Sequence, residues 1–320
     1  MIVDLPSSTT SAVNKKLVQL REDGGVQALG RVLTLVIITD DGSSIEGAIS
    51  AANSASREHP CRVIVLAPGQ RKAAPRLDAQ IRVGGDAGAS DVIVLRGYGP
   101  LADTDAGAGM VVPLLLPDAP VVAWWPGEAP AVPSQDPIGA LTQRRITDAL
   151  SSRNPLKAFE QRRAHHAAGD TDLTWTRLTP WRALLATALD TPPHEPVTSA
   201  TVVGEAVSPS TDLMAGWLAA RLDTRVKRSP AQNGLGLVSV RLERRSGPVE
   251  LKRPGGKIGN LLQPGQPDRL VALARREVRD CLAEELRRLD PDEIYAAALA
   301  AAGTVSRGRT PVRTASLTGA

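Results

Sequence analysis

His59, His165, His166 and His194, the cysteines Cys61 and Cys281, and a few close aspartate pairs are the side chains of this 320-residue chain best suited to covalent or acid–base chemistry. Nucleophilic catalysis needs an activated Ser or Cys with a base in hydrogen-bond reach. His59 and Cys61 stand two residues apart at the entry to a strand, so their side chains point in similar directions without converging. They read as a capped turn and a small buried thiol. His165 and His166 are adjacent, and on a helix their directions differ by about 100°, which prevents joint ligation of one ion. His194 lies among prolines in TPPHEP and reads as a loop residue. The pairs Asp40–Asp41, Asp170–Asp172 and Asp290–Asp292 fall at expected helix starts or turns, where capping accounts for them. The glycines of DDGSS, GGDAGAS, DAGAGM and RPGGKIG match no phosphate-binding fingerprint. No catalytic residue, metal or cofactor is expected.

Tryptophan and arginine carry a different kind of chemistry. Trp supplies five of the eight aromatic residues, so each one is informative. The run MVVPLLLPDAPVVAWWPG (110–127) ends in Trp124 and Trp125; consecutive strand residues face opposite sides, which buries one ring and leaves the other for contact. Trp124, Trp125, Arg144 and Arg145 near the first module's sheet end, then Trp175, Arg177, Trp181 and Arg182 at the start of the second, are the candidate partner-binding residues. These types dominate interface hot spots. Core packing is the competing reading for Trp181 and Trp217, which lie on apolar helix faces.

The elements that must position them follow from periodicity. Val13, Leu17 and Leu20 repeat at helical spacing before Gly24 and Gly25, and RVLTLVIIT (31–39) reads as a central strand. A helix follows, with Ser43 and Glu46 at capping-box spacing and Ile45, Ala48, Ile49 and Ala52 on one face. CRVIVLAPG, DAQIRVGG, SDVIVLRGYG and APVVAWWPG read as further strands, and DPIGALTQRRITDAL as a return to helix. Residues 155–169 read as a polar connection. Thr179 and Pro180 begin a helix with Trp181, Leu184, Leu185, Ala188 and Leu189 inward. A strand near 201–207 and a helix bearing Leu213, Met214, Trp217 and Leu218 come next. GLVSVRLERR, GPVELKRPGG and KIGNLLQPG then alternate as an antiparallel meander with one wet face. Two closing helices, one carrying Val278, Leu282, Leu286 and Leu289, are expected to cap the second core. The fold class is α/β in two modules: an N-terminal mostly parallel sheet domain (1–152), a linker (153–169), and a C-terminal α+β domain (170–303) with the meander and closing helices. Residues 304–320 read as a disordered tail.

Composition bounds the setting. With 42% hydrophobic and 22% charged residues the chain can bury a core. Two distant cysteines fit a reducing compartment, and the absence of a leader or of about 20 uninterrupted apolar residues predicts a soluble cytoplasmic protein. Residues 225–257 hold nine basic and two acidic side chains. That segment could track a nucleic-acid backbone, but it carries no aromatic residue for base stacking, which favours a solvated face or an acidic protein partner.

Several long motifs occur together and in order: ASREHPCRVIVLAPG (55–69), VVPLLLPDAPVVAWWPGEAP (111–130), DPIGALTQRRITDAL (136–150), DTDLTWTRLTPWRALLATALD (170–190) and QPGQPDRLVALARREVRDCLAEELRRLDPDEIY (263–295). This ensemble closely resembles the glucose-6-phosphate dehydrogenase assembly protein family, OpcA, over all but the C-terminal tail. The resemblance implies a non-enzymatic partner of glucose-6-phosphate dehydrogenase that promotes its active oligomeric state in the oxidative pentose phosphate pathway. It implies no catalytic residues to transfer. Two other classes compete: an enzyme or sensor binding a sugar phosphate or nucleotide between the modules, and a nucleic-acid binder using the basic meander.

Overall fold

The computed structural model describes residues 1–23, 30–39, 42–83, 91–253 and 255–312. In chain order the elements are β1 (Ile2–Leu5), α1 (Thr10–Asp23), β2 (Leu33–Ile38), α2 (Gly42–Ser56), β3 (Cys61–Pro68), β4 (Arg76–Arg82), β5 (Asp91–Tyr98), α3 (Thr104–Val111), β6 (Val121–Trp124), β7 (Arg144–Thr147), α4 (Pro155–Ala164), β8 (Asp170–Asp172) and the single turn α5 (Leu173–Thr176). They continue with α6 (Thr179–Leu189), β9 (Ser199–Gly204), α7 (Pro209–Leu222), β10 (Arg225–Pro230), β11 (Leu237–Glu243), β12 (Val249–Lys252), β13 (Ile258–Leu262), β14 (Arg269–Ala272), α8 (Val278–Arg287), α9 (Glu293–Ala301) and β15 (Ser306–Arg307). The expected glycine stop at Gly24 and Gly25, the pair Asp40–Asp41 and the GGDAGAS turn lie outside the described residues. So does Pro254 of the RPGGKIG turn, and the side chain of Ser43.

The chain forms two units, and neither is continuous in sequence. The first comprises Met1–Arg153, Ala167–Leu173 and Glu277–Pro291. Its sheet has the order β1-β4-β5-β3-β2-β6-β7-β8. From β5 to β8 every neighbouring pair is parallel, whereas β4 runs antiparallel to both β5 and β1. The chain leaves β2 in one direction to β3 and β5, then returns to its other side with β6, so strand order reverses at the centre. The apolar LTLVII run of β2 suits that place because both of its faces are covered. Leu33, Leu35 and Ile37 meet the Ile45, Ala48, Ile49 and Ala52 stripe of α2 together with Cys281, Leu282 and Leu286 of α8. On the other face, Val36, Ile64, Ile93 and Leu95 meet Val13, Leu17 and Leu20 of α1 and Val111 of α3.

Three expectations are corrected here. The helix bearing Leu282 and Leu286 packs in the first core, while α9 stays in the second unit; amphipathicity marks a buried face without saying which core buries it. The DPIGALTQRRITDAL segment is not helical: after a 3-10 turn at Gly139–Leu141 it enters the buried strand β7. The expected connection over 155–169 contains α4, started by Pro155 at the first helical position and by Asn154, whose side chain accepts from the Lys157 N–H at 3.1 Å.

The second unit comprises Asn154–His166, Thr174–Arg276 and Asp292–Ala320. Its sheet runs β14-β13-β12-β11-β9-β10-β15, with β9, β10 and β15 parallel and the remaining pairs antiparallel. The helix α7 connects β9 to β10 as a crossover, and α9 lies against it. Gly216 permits that approach, since a Cβ there would stand 2.1 Å from the Ala298 carbonyl oxygen. Residues 304–312 are ordered, unlike the expected tail. Ser306–Arg307 pairs with β10, the Gly308 N–H donates to the Arg228 carbonyl at 2.7 Å, and the Val312 N–H donates to the Pro230 carbonyl at 2.8 Å. Residues 313–320 lie outside the described residues. Among the described residues no helix is long and apolar enough to cross a membrane.

Candidate functional site

At the sheet end of the first unit, Arg144 and Arg145 follow one another on β7 and therefore point to opposite faces. Each finds a buried carboxylate. Arg144 pairs with Glu285 of α8 and donates to the Asp290 carbonyl at 2.7 Å. Arg145 pairs with Asp170 of β8 and donates to the carbonyls of Thr142 and Ala168. The second oxygen of Asp170 accepts from the Ala167 N–H at 2.9 Å. Asp172 accepts from the Thr147 hydroxyl at 2.7 Å and from the Ala149 N–H at 2.9 Å. The Asp170–Asp172 pair thus lies in the short strand β8, with Asp172 directly ahead of the turn α5, and its oxygens serve neighbouring donors. Asp292 does cap a helix, accepting from the Tyr295 N–H at 2.9 Å at the start of α9.

Trp124 and Trp125 face opposite sides as alternation requires, Trp124 into the α2–α8 core and Trp125 into the α1–α3 core. Both are at most 2% exposed. The expectation of one free ring is corrected: both faces of β6 are covered by helices, so neither indole reaches the surface. A strand with one wet face belongs to an antiparallel sheet, and a central parallel strand has none.

In the second unit the indole N–H of Trp175 donates to the Asp292 carboxylate at 2.8 Å, and its ring lies 5.9 Å from that of Tyr295. The Arg182 guanidinium stacks 3.5 Å from the Trp175 ring centroid and donates to the Thr179 hydroxyl at 3.0 Å. Trp175 and Trp181 are both buried, while Arg177 and Arg182 are half-buried. Thus Trp175 and Arg182 of the expected set are brought together within this unit. Sequence reasoning missed Asp292 and Tyr295 as their partners, since both are more than a hundred residues away.

Sequence reasoning also missed two arginine clusters. Asp212, in the first turn of α7, is gripped by Arg228 at 3.3 Å and by Arg307 at 3.0 Å. Burial pushes its carboxyl above the ordinary range, against the pull of the two guanidiniums. Arg253, expected on a wet face, is buried: it lies over Trp181 at 5.1 Å and donates to the carbonyls of Leu273 at 2.9 Å and Leu237 at 3.2 Å. Burial, then the charge of Arg275, pushes the Arg253 guanidinium down to about 10.

The nucleophile candidates are sequestered. Cys61 and Cys281 are buried in one core and form no disulfide, and burial pushes the Cys61 thiol up to about 11. His166 packs edge-on to Tyr295 at 5.5 Å. Among the described residues no group of three His, Cys, Asp or Glu side chains is placed to hold a metal. Two cavities open on the first unit. One, of about 410 Å³, lies over β1, β4 and β5 and is lined by Asp4, Glu46, Asp78, Arg82 and Arg96 among others. The second, of about 140 Å³, lies at the C-terminal ends of β2, β3 and β5 near Thr39 and Met110.

These features define a two-unit α/β protein whose buried ion pairs and stacked rings are parts of its architecture. Two family models match it, described as the N-terminal and the C-terminal domain of a glucose-6-phosphate dehydrogenase subunit; the first covers residues 52–164 and the second residues 168–299. The chain belongs to this family, OpcA. A comparison with curated proteins finds no match. Among solved structures, an oxidoreductase from Sinorhizobium meliloti is 12% identical over 84% of this chain and 86% of its own, with a TM-score of 0.39. An E. coli structure described as trehalose-6-phosphate bound with UDP-2-fluoro glucose is 10% identical over 62% of this chain and 64% of its own, with a TM-score of 0.25.

Proposed function

We propose that this chain is a non-catalytic, cytoplasmic assembly factor and allosteric activator. It binds glucose-6-phosphate dehydrogenase and favours that enzyme's active oligomeric state in the oxidative pentose phosphate pathway. The observation that carries this reading is the pair of family models, both named for a subunit of that dehydrogenase, which together match most of the chain from residue 52 to residue 299. The side-chain geometry is compatible with it: Glu285 and Asp170 are engaged in buried pairs with arginines, and Cys61 and Cys281 are enclosed in the core. An activator of this kind needs only to bind the active state more tightly, and about 1.4 kcal/mol of difference shifts the equilibrium tenfold. Of the residues singled out as contacts, Arg177 and Arg182 remain the candidates that reach solvent; Trp124, Trp125, Arg144, Arg145, Trp175 and Trp181 act through the fold.

The test is dehydrogenase turnover together with light-scattering mass, measured with and without the chain. Increased turnover with a shift to a larger complex supports the reading. Unchanged turnover and mass at saturating chain would contradict it.

A further inference from the structure

The outermost strand of the second sheet is short and carries arginine, as exposed edges usually do, yet it leaves a large apolar side chain open to solvent. β14 is the terminal strand of the described sheet, and its inner neighbour is β13. Its register is pinned from one side: a Cβ on Gly259 would stand 3.1 Å from a Val271 methyl and 2.9 Å from a Leu273 methyl, so both side chains close over that glycine. Leu270 and Ala272 consequently point to the opposite face, beside their cross-strand neighbours Asn260 and Ile258. That face is open. Leu270 is 72% exposed and Ile258 is 55% exposed.

The backbone is equally unsatisfied. The Leu273 N–H donates to the Lys257 carbonyl at 3.0 Å, which makes that pair a hydrogen-bonded one. Antiparallel pairs alternate, so Val271 and Arg269 bond inward to β13 while the N–H and C=O groups of Leu270 and Ala272 face outward. An edge presenting free backbone groups beside apolar side chains is a template for another strand, and proteins ordinarily blunt such edges.

The surrounding charge selects the occupant. Residues 269–276, RLVALARR, hold three arginines between the flanking acids Asp268, which accepts from the Asn260 amide at 3.2 Å, and Glu277, and Lys257 is exposed in the adjoining strand entry. Behind them Arg253 is buried with backbone carbonyls as its acceptors, and among the described residues neither Arg253 nor Arg275 has a carboxylate partner. Two copies of this edge pairing with each other would bring like charges together, which is destabilising. An acidic strand gains from the same charges.

We propose that the open edge of β14 docks an extended segment of the partner enzyme in which acidic and apolar residues alternate. The segment adds one strand to the sheet, sets its apolar side chains on Leu270 and Ile258, and sets its carboxylates toward Arg269 and Arg275. This rests on the functional reading above, with the dehydrogenase as partner, and it names where contact is made.

Two substitutions test it by different routes. Ala272→Pro deletes one outward N–H and leaves the bonds to β13 intact, a change that edge strands tolerate. Leu270→Asp removes the apolar contact and adds a charge that repels an acidic strand. Ile2→Asp, on the edge strand of the other sheet, is the control, as Ile2 is likewise exposed. Affinity for purified dehydrogenase is measured by fluorescence anisotropy of labelled chain at low and high salt, alongside melting temperature and light-scattering mass. The expected result is a Kd raised about tenfold or more by Ala272→Pro and by Leu270→Asp, with unchanged melting temperature, wild-type affinity for Ile2→Asp, and weaker wild-type binding at high salt. If Leu270→Asp lowers the melting temperature, Ala272→Pro decides. Wild-type affinity in both variants overturns the docking site while leaving the functional reading intact. Wild-type chain that forms dimers dissolved by Leu270→Asp assigns the edge to self-association and overturns the acidic occupant. Failure of the wild type to bind the dehydrogenase at all overturns the functional reading, and this proposal with it.

Discussion

Removing Glu285 tests how far the first unit depends on the return of α8 to its core. Arg144 and Glu285 lie 141 residues apart, and their side chains are 4% and 5% exposed. Glu285→Ala leaves the guanidinium enclosed with the Asp290 carbonyl as its remaining acceptor in this arrangement. An uncompensated buried charge costs about 3–5 kcal/mol, several times an exposed ion pair. For a unit of this size each kcal/mol shifts the melting temperature by about 2–4 °C, so the fall should be on the order of 10 °C. Replacing both partners, Arg144→Met with Glu285→Leu, removes the stranded charge and should recover most of that loss, because a well-packed apolar pair is often as stable as the buried ion pair. Urea unfolding followed by circular dichroism reads all three proteins. If Glu285→Ala stays within about 1 kcal/mol of wild type, the pair is behaving as a solvated surface contact and the buried-pair argument fails.

Other perturbations separate architecture from contact. Trp124→Ala and Trp125→Ala should each cost about 3–5 kcal/mol in unfolding experiments, as expected for large buried aromatics; a variant that keeps its stability but loses the dehydrogenase would show instead that its ring is a contact. Cys61 and Cys281 should resist a thiol-specific reagent in the folded chain at neutral pH and react once it is unfolded. Rapid labelling of native protein would contradict the burial that holds the Cys61 thiol near 11.

How much of this was legible in the sequence depended on whether the deciding neighbour was local. The central strands β2, β3 and β5 announce themselves by continuous β-branched runs, and α1 and α2 by apolar spacing. β7 was hidden because consecutive arginines resemble a solvated helix face; the carboxylates that let them lie in a buried strand are 25 and 141 residues away. β14 was hidden for a related reason, since its LVA run is short and flanked by arginines. The Trp pair showed its alternation but not its burial, because covering by α2, α8, α1 and α3 is a property of the assembled layers. Residues 304–312 were misread because a strand of two residues leaves no periodicity; their placement comes from bonds to β10 and from Arg307 reaching Asp212. The candidate residues for partner binding were chosen by type, and type favours Trp and Arg equally in a core and at an interface.

If the chain acts by binding, glucose-6-phosphate dehydrogenase titrated with it, with turnover and complex mass followed in parallel, should show a saturable rise in activity that tracks formation of the complex, with no conversion of glucose 6-phosphate by the chain alone. Complex formation without any change in activity, or substrate conversion by the isolated chain, would contradict that mode of action.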